Sequence, residues 1–152
     1  MADEARLQLT PKLIDSLYVE AMVLADEARS YFDRHGREDR DSLDPLLRVG
    51  FSCESLKVTT RLMHVIAWLL TQRAVEAGEL TRAQARRPAR RLGEAPESDS
   101  DLLPRLPESA LTLIESSREL YARVARLDEG DVGAPAEGSP ARSLLNRLER
   151  SF

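Results

Sequence analysis

The side chains of this 152-residue sequence that suit nucleophilic or metal chemistry are one cysteine, Cys53, and two histidines, His35 and His64. A thiol nucleophile needs a base within hydrogen-bond reach. Cys53 and His64 are eleven residues apart on one predicted helix, which separates them by about 16 Å along its axis. Two histidines and one cysteine also make a poor zinc set. We therefore interpret Cys53 as a small buried apolar residue and expect no metal site and no cofactor.

Motifs of the common catalytic classes are missing from the sequence as well. It contains no HExxH or CxxC motif, no EF-hand loop and no glycine-rich phosphate loop. Carboxylates are plentiful, but they fall on predicted solvated faces, and nothing pairs them as a general acid and base. The sequence therefore predicts a protein that is not an enzyme.

A basic segment is the remaining feature with binding chemistry, because five of its ten residues are arginine. Such a run can bind nucleic acid or an acidic protein surface. An acidic stretch follows at once, no aromatic residue interleaves for stacking on single strands, and the formal net charge is −4. We favour a solvated, partly self-paired segment and keep a nucleic-acid-associated regulator as the alternative. The arginines are Arg82, Arg86, Arg87, Arg90 and Arg91.

The composition indicates an all-α protein. The chain is rich in Leu, Ala, Arg and Glu, with 5% aromatic residues and seven glycines, which favours helices over sheets. A single cysteine fits a reducing compartment, and the N-terminus lacks the apolar segment of a signal peptide. The longest strongly apolar stretch, residues 62–70, is far below the ~20 residues of a membrane span. We expect a cytoplasmic protein with no membrane partner.

Helix signals divide the chain. Thr10 and Pro11 begin a first helix that Gly36 ends, and a polar connector follows over residues 37–42. No proline intervenes within the second helix, which makes it very long, up to 34 residues or about 50 Å. It begins after Asp44, ends before Gly78 and can bend near Gly50, which weakens its first turns.

The second half of the chain contains two further predicted helices. Thr81 and Gln84 have capping-box spacing and begin a short helix that Pro88 breaks. Residues 93–106 have the composition of a mobile loop, and Pro107 opens the last long helix.

We assign residues 1–128 to one helical domain and residues 129–152 to a flexible C-terminal tail. The last ten residues, SLLNRLERSF, could form one or two turns. They represent either frayed terminal residues or a tethered motif that docks on a partner.

Helical spacing gives the central helix two apolar stripes, so it must touch two neighbours. The first and last helices can supply them, which predicts an antiparallel three-helix bundle. The remaining polar face carries the only tryptophan, so it is either satisfied by carboxylates and water or belongs to a protein interface. The first stripe is Leu56, Thr59, Met63, Ile66, Leu70, Ala74 and Ala77; the second is Val58, Leu62, Val65 and Leu69; the polar face is Glu54, Lys57, Arg61, His64, Trp68 and Gln72.

The polar face is our candidate contact surface. A single bundle would leave Trp68 with little cover, so we expect a homodimer. Arg73 falls between the two stripes and should need a carboxylate partner. The candidate partner-binding residues are Lys57, Arg61, Trp68 and Arg73, with Arg86 and Arg87 of the basic segment.

The central helix also carries a family pattern. Residues 55–63, SLKVTTRLM, and 67–75, AWLLTQRAV, followed by GE at 78–79, resemble the signature of the alphaproteobacterial regulator of CtrA degradation (RcdA) family. The resemblance covers most of residues 13–128. Further matches are LYVEAM at 17–22, RLG at 91–93 and LYARVARL at 120–127.

The resemblance implies a dimeric three-helix-bundle adaptor without catalytic residues. Members of this family help deliver the cell-cycle regulator CtrA and other substrates to the ClpXP protease, within a hierarchy of adaptors. The implied partners are therefore a ClpX-type protease, adaptor proteins and substrate proteins. On this basis we expect a non-enzymatic adaptor or scaffold in regulated proteolysis.

Overall fold

The computed structural model of the chain describes residues 9–133, and this part contains helices and no strand. The all-α prediction is therefore confirmed. A π-helical turn, Tyr31–His35, extends the first helix, and two short 3-10 turns lie at Pro88–Arg90 and Leu103–Arg105. The α-helices are α1 (Pro11–Ser30), α2 (Arg37–Asp41), α3 (Pro45–Glu76), α4 (Arg82–Ala85) and α5 (Glu108–Gly133).

The predicted capping residues begin and end these helices. The Thr10 hydroxyl accepts a hydrogen bond from the Leu13 N–H at 3.1 Å, and the Asp44 carboxylate accepts one from the Leu47 N–H at 2.9 Å. Both bonds satisfy backbone donors that the first turn of a helix leaves unpaired. The chain leaves α3 through Gly78, whose φ of 76° suits glycine.

Three local predictions need correction. The polar segment predicted to link the first two helices, residues 37–42, forms a short helix, α2, instead of a loop. Helix α3 continues through Gly50 without a break, and the Leu102 side chain packs closely against this glycine. Helix α5 runs past Leu127 to Gly133, because residues 128–133 contain no proline to stop it. Residues 129–133, predicted as the start of the tail, are therefore helical, and residues 134–152 of the predicted tail lie outside the described part.

Helices α1 and α3 pack against each other in opposite directions, as predicted. The Phe32 ring, just after α1, meets the Phe51 ring near the start of α3, with ring centroids 5.3 Å apart. At the other end, Arg73 donates two hydrogen bonds to Asp15 Oδ1, at 2.9 and 3.2 Å. The two contacts pair the end of one helix with the start of the other.

Helix α5 also packs on α3, but the predicted antiparallel arrangement is wrong for this pair. Arg61 contacts Ser117, and seven residues later Trp68 contacts Asp128. Residue numbers therefore rise together along the two helices, which makes them parallel. Parallel helices need a connection that returns along the whole length of the first helix.

Residues 77–107, here called the connector, make that return. Gly93 lies against His64, Ser98 reaches Arg61, and Leu102 reaches Gly50. The connector thus follows α3 back from its middle to its first turns before α5 begins. The predicted mobility of residues 93–106 remains a prediction.

The core lies where α1, α5 and the connector meet α3. The apolar face of α1 is buried, and so is one of the two predicted stripes of α3, Val58, Leu62, Val65 and Leu69; the buried residues of α1 are Ile14, Leu17, Ala21, Leu24 and Ala28. The other stripe is not: Leu56, Met63 and Leu70 are 68%, 65% and 47% exposed. Most of the predicted polar face is buried in its place: Glu54, Arg61, Trp68 and Gln72 are covered, and Lys57 and His64 are partly covered.

The His64 ring lies close to the backbone of Gly93, and this contact gives the first prediction. A Cβ at this position would overlap the His64 ring, so we expect Gly93→Ala to lower the free energy of unfolding by about 1–3 kcal/mol. Chemical denaturation followed by the fluorescence of the single tryptophan measures the change.

The matched control is Gly130→Ala, because a Cβ there meets nothing within 4 Å. Replacing this helical glycine should raise stability by about 0.5–1 kcal/mol. Adding His64→Ala to Gly93→Ala should recover much of the loss. A Gly93→Ala protein as stable as wild type would show that the connector does not lie on His64.

Candidate protein-interaction surface

Helix α3 divides into a buried polar stripe and an exposed apolar strip. Glu54, Arg61 and Trp68 follow one another at seven-residue intervals and are 0%, 3% and 2% exposed. We call these three residues the polar stripe. Buried polar groups need hydrogen-bond partners, and the connector, α5 and Lys57 of α3 supply most of those of the stripe.

Arg61 is the centre of the stripe. Its guanidinium donates hydrogen bonds to the Ser117 hydroxyl of α5 at 3.2 Å, and to the connector at the Pro96 carbonyl (3.2 Å) and the Ser98 hydroxyl (2.7 Å). Burial lowers the pKa of Arg61, while the charge of Glu54 opposes the shift. One side chain therefore joins three segments of the chain.

Glu54 secures the connector two turns closer to the start of α3. Its carboxylate accepts hydrogen bonds from Lys57 Nζ at 2.9 Å and from the Asp99 N–H at 3.2 Å. Burial alone would raise the pKa of Glu54, but hydrogen bonds from Ser98, Lys57 and Asp99 and the charge of Lys57 outweigh it and lower that pKa. Glu54 is therefore held as a carboxylate.

Trp68 closes the other end of the stripe. Its indole N–H donates to Asp128 Oδ1 at 2.9 Å. The same carboxylate accepts a bifurcated hydrogen bond from the Arg91 Nε–H, with Nε 2.9 Å from Oδ1 and 3.0 Å from Oδ2. Asp128 is buried, and these hydrogen bonds join α5 to α3 and to the connector.

The candidate contact surface predicted from Lys57, Arg61 and Trp68 is therefore wrong as an exposed face. Arg61 and Trp68 are covered within one copy of the chain, and Lys57 is largely buried against Glu54. The partner groups are 30 or more residues away in sequence, so helical spacing alone did not reveal them. Two signals pointed to this burial. One is the lone tryptophan, and the other is that Asp128 continues the helical spacing of the buried residues Ser117, Leu120 and Val124.

The other predicted binding residues have different environments. Arg73 has the carboxylate partner expected of it, Asp15, and its guanidinium lies 4.1 Å from the centroid of the Tyr18 ring. Arg87 is exposed and Arg86 is half-buried. A role of Arg73, Arg86 and Arg87 in partner binding remains a prediction.

Cys53 was predicted to be buried, and this prediction is wrong. The thiol is free and exposed, because Cys53 lies on the side of α3 away from α1 and α5. Within the described residues, no group of three His, Cys, Asp or Glu side chains is arranged to hold a metal ion. None of the described helices is long and apolar enough to cross a membrane.

The outward side of α3 carries a line of large apolar side chains. Val49, Leu56, Met63 and Leu70 recur every seven residues and are 47–68% exposed. We call these four residues the exposed strip. Seven-residue spacing keeps side chains on nearly one line of a helix, which is the arrangement that packs against another helix.

A groove beside this strip separates α3 from α1. It has a volume of about 360 Å³ and shares Met63 with the exposed strip. Arg29, Asp33, Ser55 and Thr59 contribute its polar lining. The apolar lining consists of Ala25, Ala28 and Phe32 on one side and Leu62, Met63 and Ile66 on the other.

Comparisons with known proteins identify the family. A family model described as "Protein of unknown function (DUF1465)" matches residues 5–152. The crystal structure of RcdA from Caulobacter crescentus CB15 is similar, with a TM-score of 0.64 and 35% sequence identity over 81% of this chain and 92% of that chain. This chain belongs to the RcdA family. The resemblance seen in residues 55–75 is thereby confirmed. No curated protein matches the sequence.

The carboxylate of Glu54 gives a prediction about pH. A folded-state pKa below the unfolded value of about 4.3 stabilises the fold above that pH, and the contribution is lost as pH falls through the folded pKa. We expect Glu54→Gln to reduce the free energy of unfolding at pH 7 by about 1–3 kcal/mol. The difference from wild type should shrink below about pH 4.3.

Denaturant titrations at pH 7 and at pH 3 to 4 measure both quantities. Glu129→Gln is the control, because Glu129 is exposed and its replacement should change stability by less than about 0.5 kcal/mol. A Glu54→Gln cost that is the same at both pH values would show that the carboxylate is not held by its hydrogen bonds.

Proposed function

We propose that this protein is a non-enzymatic adaptor or scaffold in regulated proteolysis, and that it binds protein partners through the exposed strip. Membership of the RcdA family supports a related regulatory role. The observation that carries the proposal is the line of exposed Val49, Leu56, Met63 and Leu70 on α3. Large apolar residues grouped on a surface commonly mark interaction sites.

The neighbouring residues suit a helical partner. Cys53, Thr60, Ala67 and Ala74 also recur every seven residues beside the strip. Small side chains there let a second helix approach closely, while the larger residues of the strip fill the spaces between its side chains. The strip therefore fits an amphipathic helix better than it fits an extended peptide or a small molecule.

The partners we propose follow the family resemblance: a ClpX-type protease, adaptor proteins and substrates such as CtrA, in the cytoplasm. A second copy of the chain is a further partner, since a homodimer would cover apolar surface that the single chain leaves exposed. The catalytic step would belong to the protease, because this chain is needed only to bring two proteins together.

The basic segment favours this proposal over nucleic-acid binding. Arg91 is committed to Asp128 within the fold, and Arg82 and Arg86 also have interactions. These pairings leave less of the segment's charge for phosphate contacts, on which sequence-independent nucleic-acid binding depends.

Binding to a ClpX-type unfoldase and its adaptors tests the proposal. We expect Leu56→Glu to weaken association by about tenfold or more, because burying a leucine contributes about 1.5–3 kcal/mol. Affinity is measured by pull-down and titration, and light scattering at micromolar concentration reports the homodimer.

The matched control is Leu46→Glu, the same substitution at a more exposed position of the same helix that lies off the strip. It should bind like wild type, and both variants should keep the helical content of the parent. No association of the wild-type protein, or an equal effect of the two substitutions, would contradict the proposal.

A further inference from the structure

The groove between α1 and α3 has the dimensions of a site for a short helix. Its lining on α3 runs from Ser55 to Ile66, which is about 16 Å of helix. Ala25 and Ala28 make the α1 wall shallow, so side chains from a third helix can enter between the two. Met63 belongs to both the groove and the exposed strip, so an occupant of the groove also covers part of the strip.

The last ten residues of the chain, SLLNRLERSF, have the matching pattern. At about 100° per residue, Leu144, Leu145, Leu148 and Phe152 fall within one face of about 100°. A ten-residue helix is about 15 Å long, close to the length of the groove. A segment this short is not stable alone in water, so it needs an apolar surface to fold against.

Chain length also suits this occupant. The bond from Trp68 to Asp128 places Asp128 close to the level of one end of the groove, and α5 ends at Gly133, about 7.5 Å further along its axis. The nine residues 134–142 span up to about 30 Å, and a helix with its side chains is about 10–12 Å across.

We propose that residues 143–152 dock as a short helix in the groove between α1 and α3 of the same chain. The docked segment covers Met63 and limits access to the exposed strip. The docking itself is independent of the adaptor function, whereas its effect on partner binding rests on that proposed function. A groove that is occupied about 90% of the time lowers the apparent affinity of a competing partner about tenfold.

The exposed Cys53, the single cysteine of the chain, allows a direct test. A nitroxide attached to Cys53 of the full-length, ¹⁵N-labelled protein should broaden the amide NMR signals of residues 143–152. Leu148→Asp should restore sharp signals, because it places a charge on the apolar face of the segment. Asn146→Asp adds the same group to the opposite face and should leave the broadening unchanged. Thr59→Glu, at an exposed position in the groove lining, should act like Leu148→Asp.

Each other outcome overturns the proposal. Equally sharp signals in the wild type and all variants would show that the segment does not occupy the groove. Broadening that appears only when nitroxide-labelled and ¹⁵N-labelled chains are mixed would assign the groove to a second copy.

Partner titrations separate this proposal from the adaptor function. Leu148→Asp should bind the ClpX-type partner about tenfold more tightly than wild type. Broadening without any partner binding would overturn the adaptor function and leave the docking intact. If the wild-type signals of residues 143–152 are broadened but wild type and Leu148→Asp bind the partner with equal affinity, the proposed effect of docking on partner binding is overturned.

Discussion

The guanidinium of Arg61 is the group on which the arrangement of this protein depends. It is 3% exposed and is bonded to α5 through Ser117 and to the connector through Pro96 and Ser98. A buried cation without partners costs several kcal/mol, so the connector must lie along α3 wherever Arg61 is buried. Glu54 and Trp68 extend the same requirement by two turns in each direction. The parallel course of α5 follows, because the connector returns to the start of α3 before α5 begins.

This arrangement leaves one of the two apolar stripes of α3 outward. A helix ordinarily buries its apolar face and exposes its polar face, but here the connector and α5 supply hydrogen-bond partners for the polar stripe, which is buried instead. Val58, Leu62, Val65 and Leu69 fill the core between the stripe and α1. The exposed strip therefore has no cover among the described residues, and the chain carries an apolar surface suited to binding another helix.

Local structure could be predicted from the sequence where it depends on neighbouring residues. The caps at Thr10 and Asp44 and the capping box of Thr81 and Gln84 were all correct, because each signal acts over three residues. The faces of α3 were assigned incorrectly because their burial depends on groups 35 to 60 residues away. Asp128 was placed at the boundary with the tail and given no role, although it continues the spacing of Ser117, Leu120 and Val124. The family was found from residues 55–75, and the comparisons confirm it.

The central claim is that the exposed strip, and not the face of Arg61 and Trp68, is the surface that partners cover. Oxidative footprinting of Met63 in the free and partner-bound Leu148→Asp protein tests this most directly, since Met63 is 65% exposed and this variant keeps the proposed C-terminal segment off it. We predict that Met63 becomes protected when a ClpX-type partner or a second copy binds, while oxidation of Trp68 stays low in both states. Unchanged oxidation of Met63 together with protection confined to residues 82–91 would contradict the account.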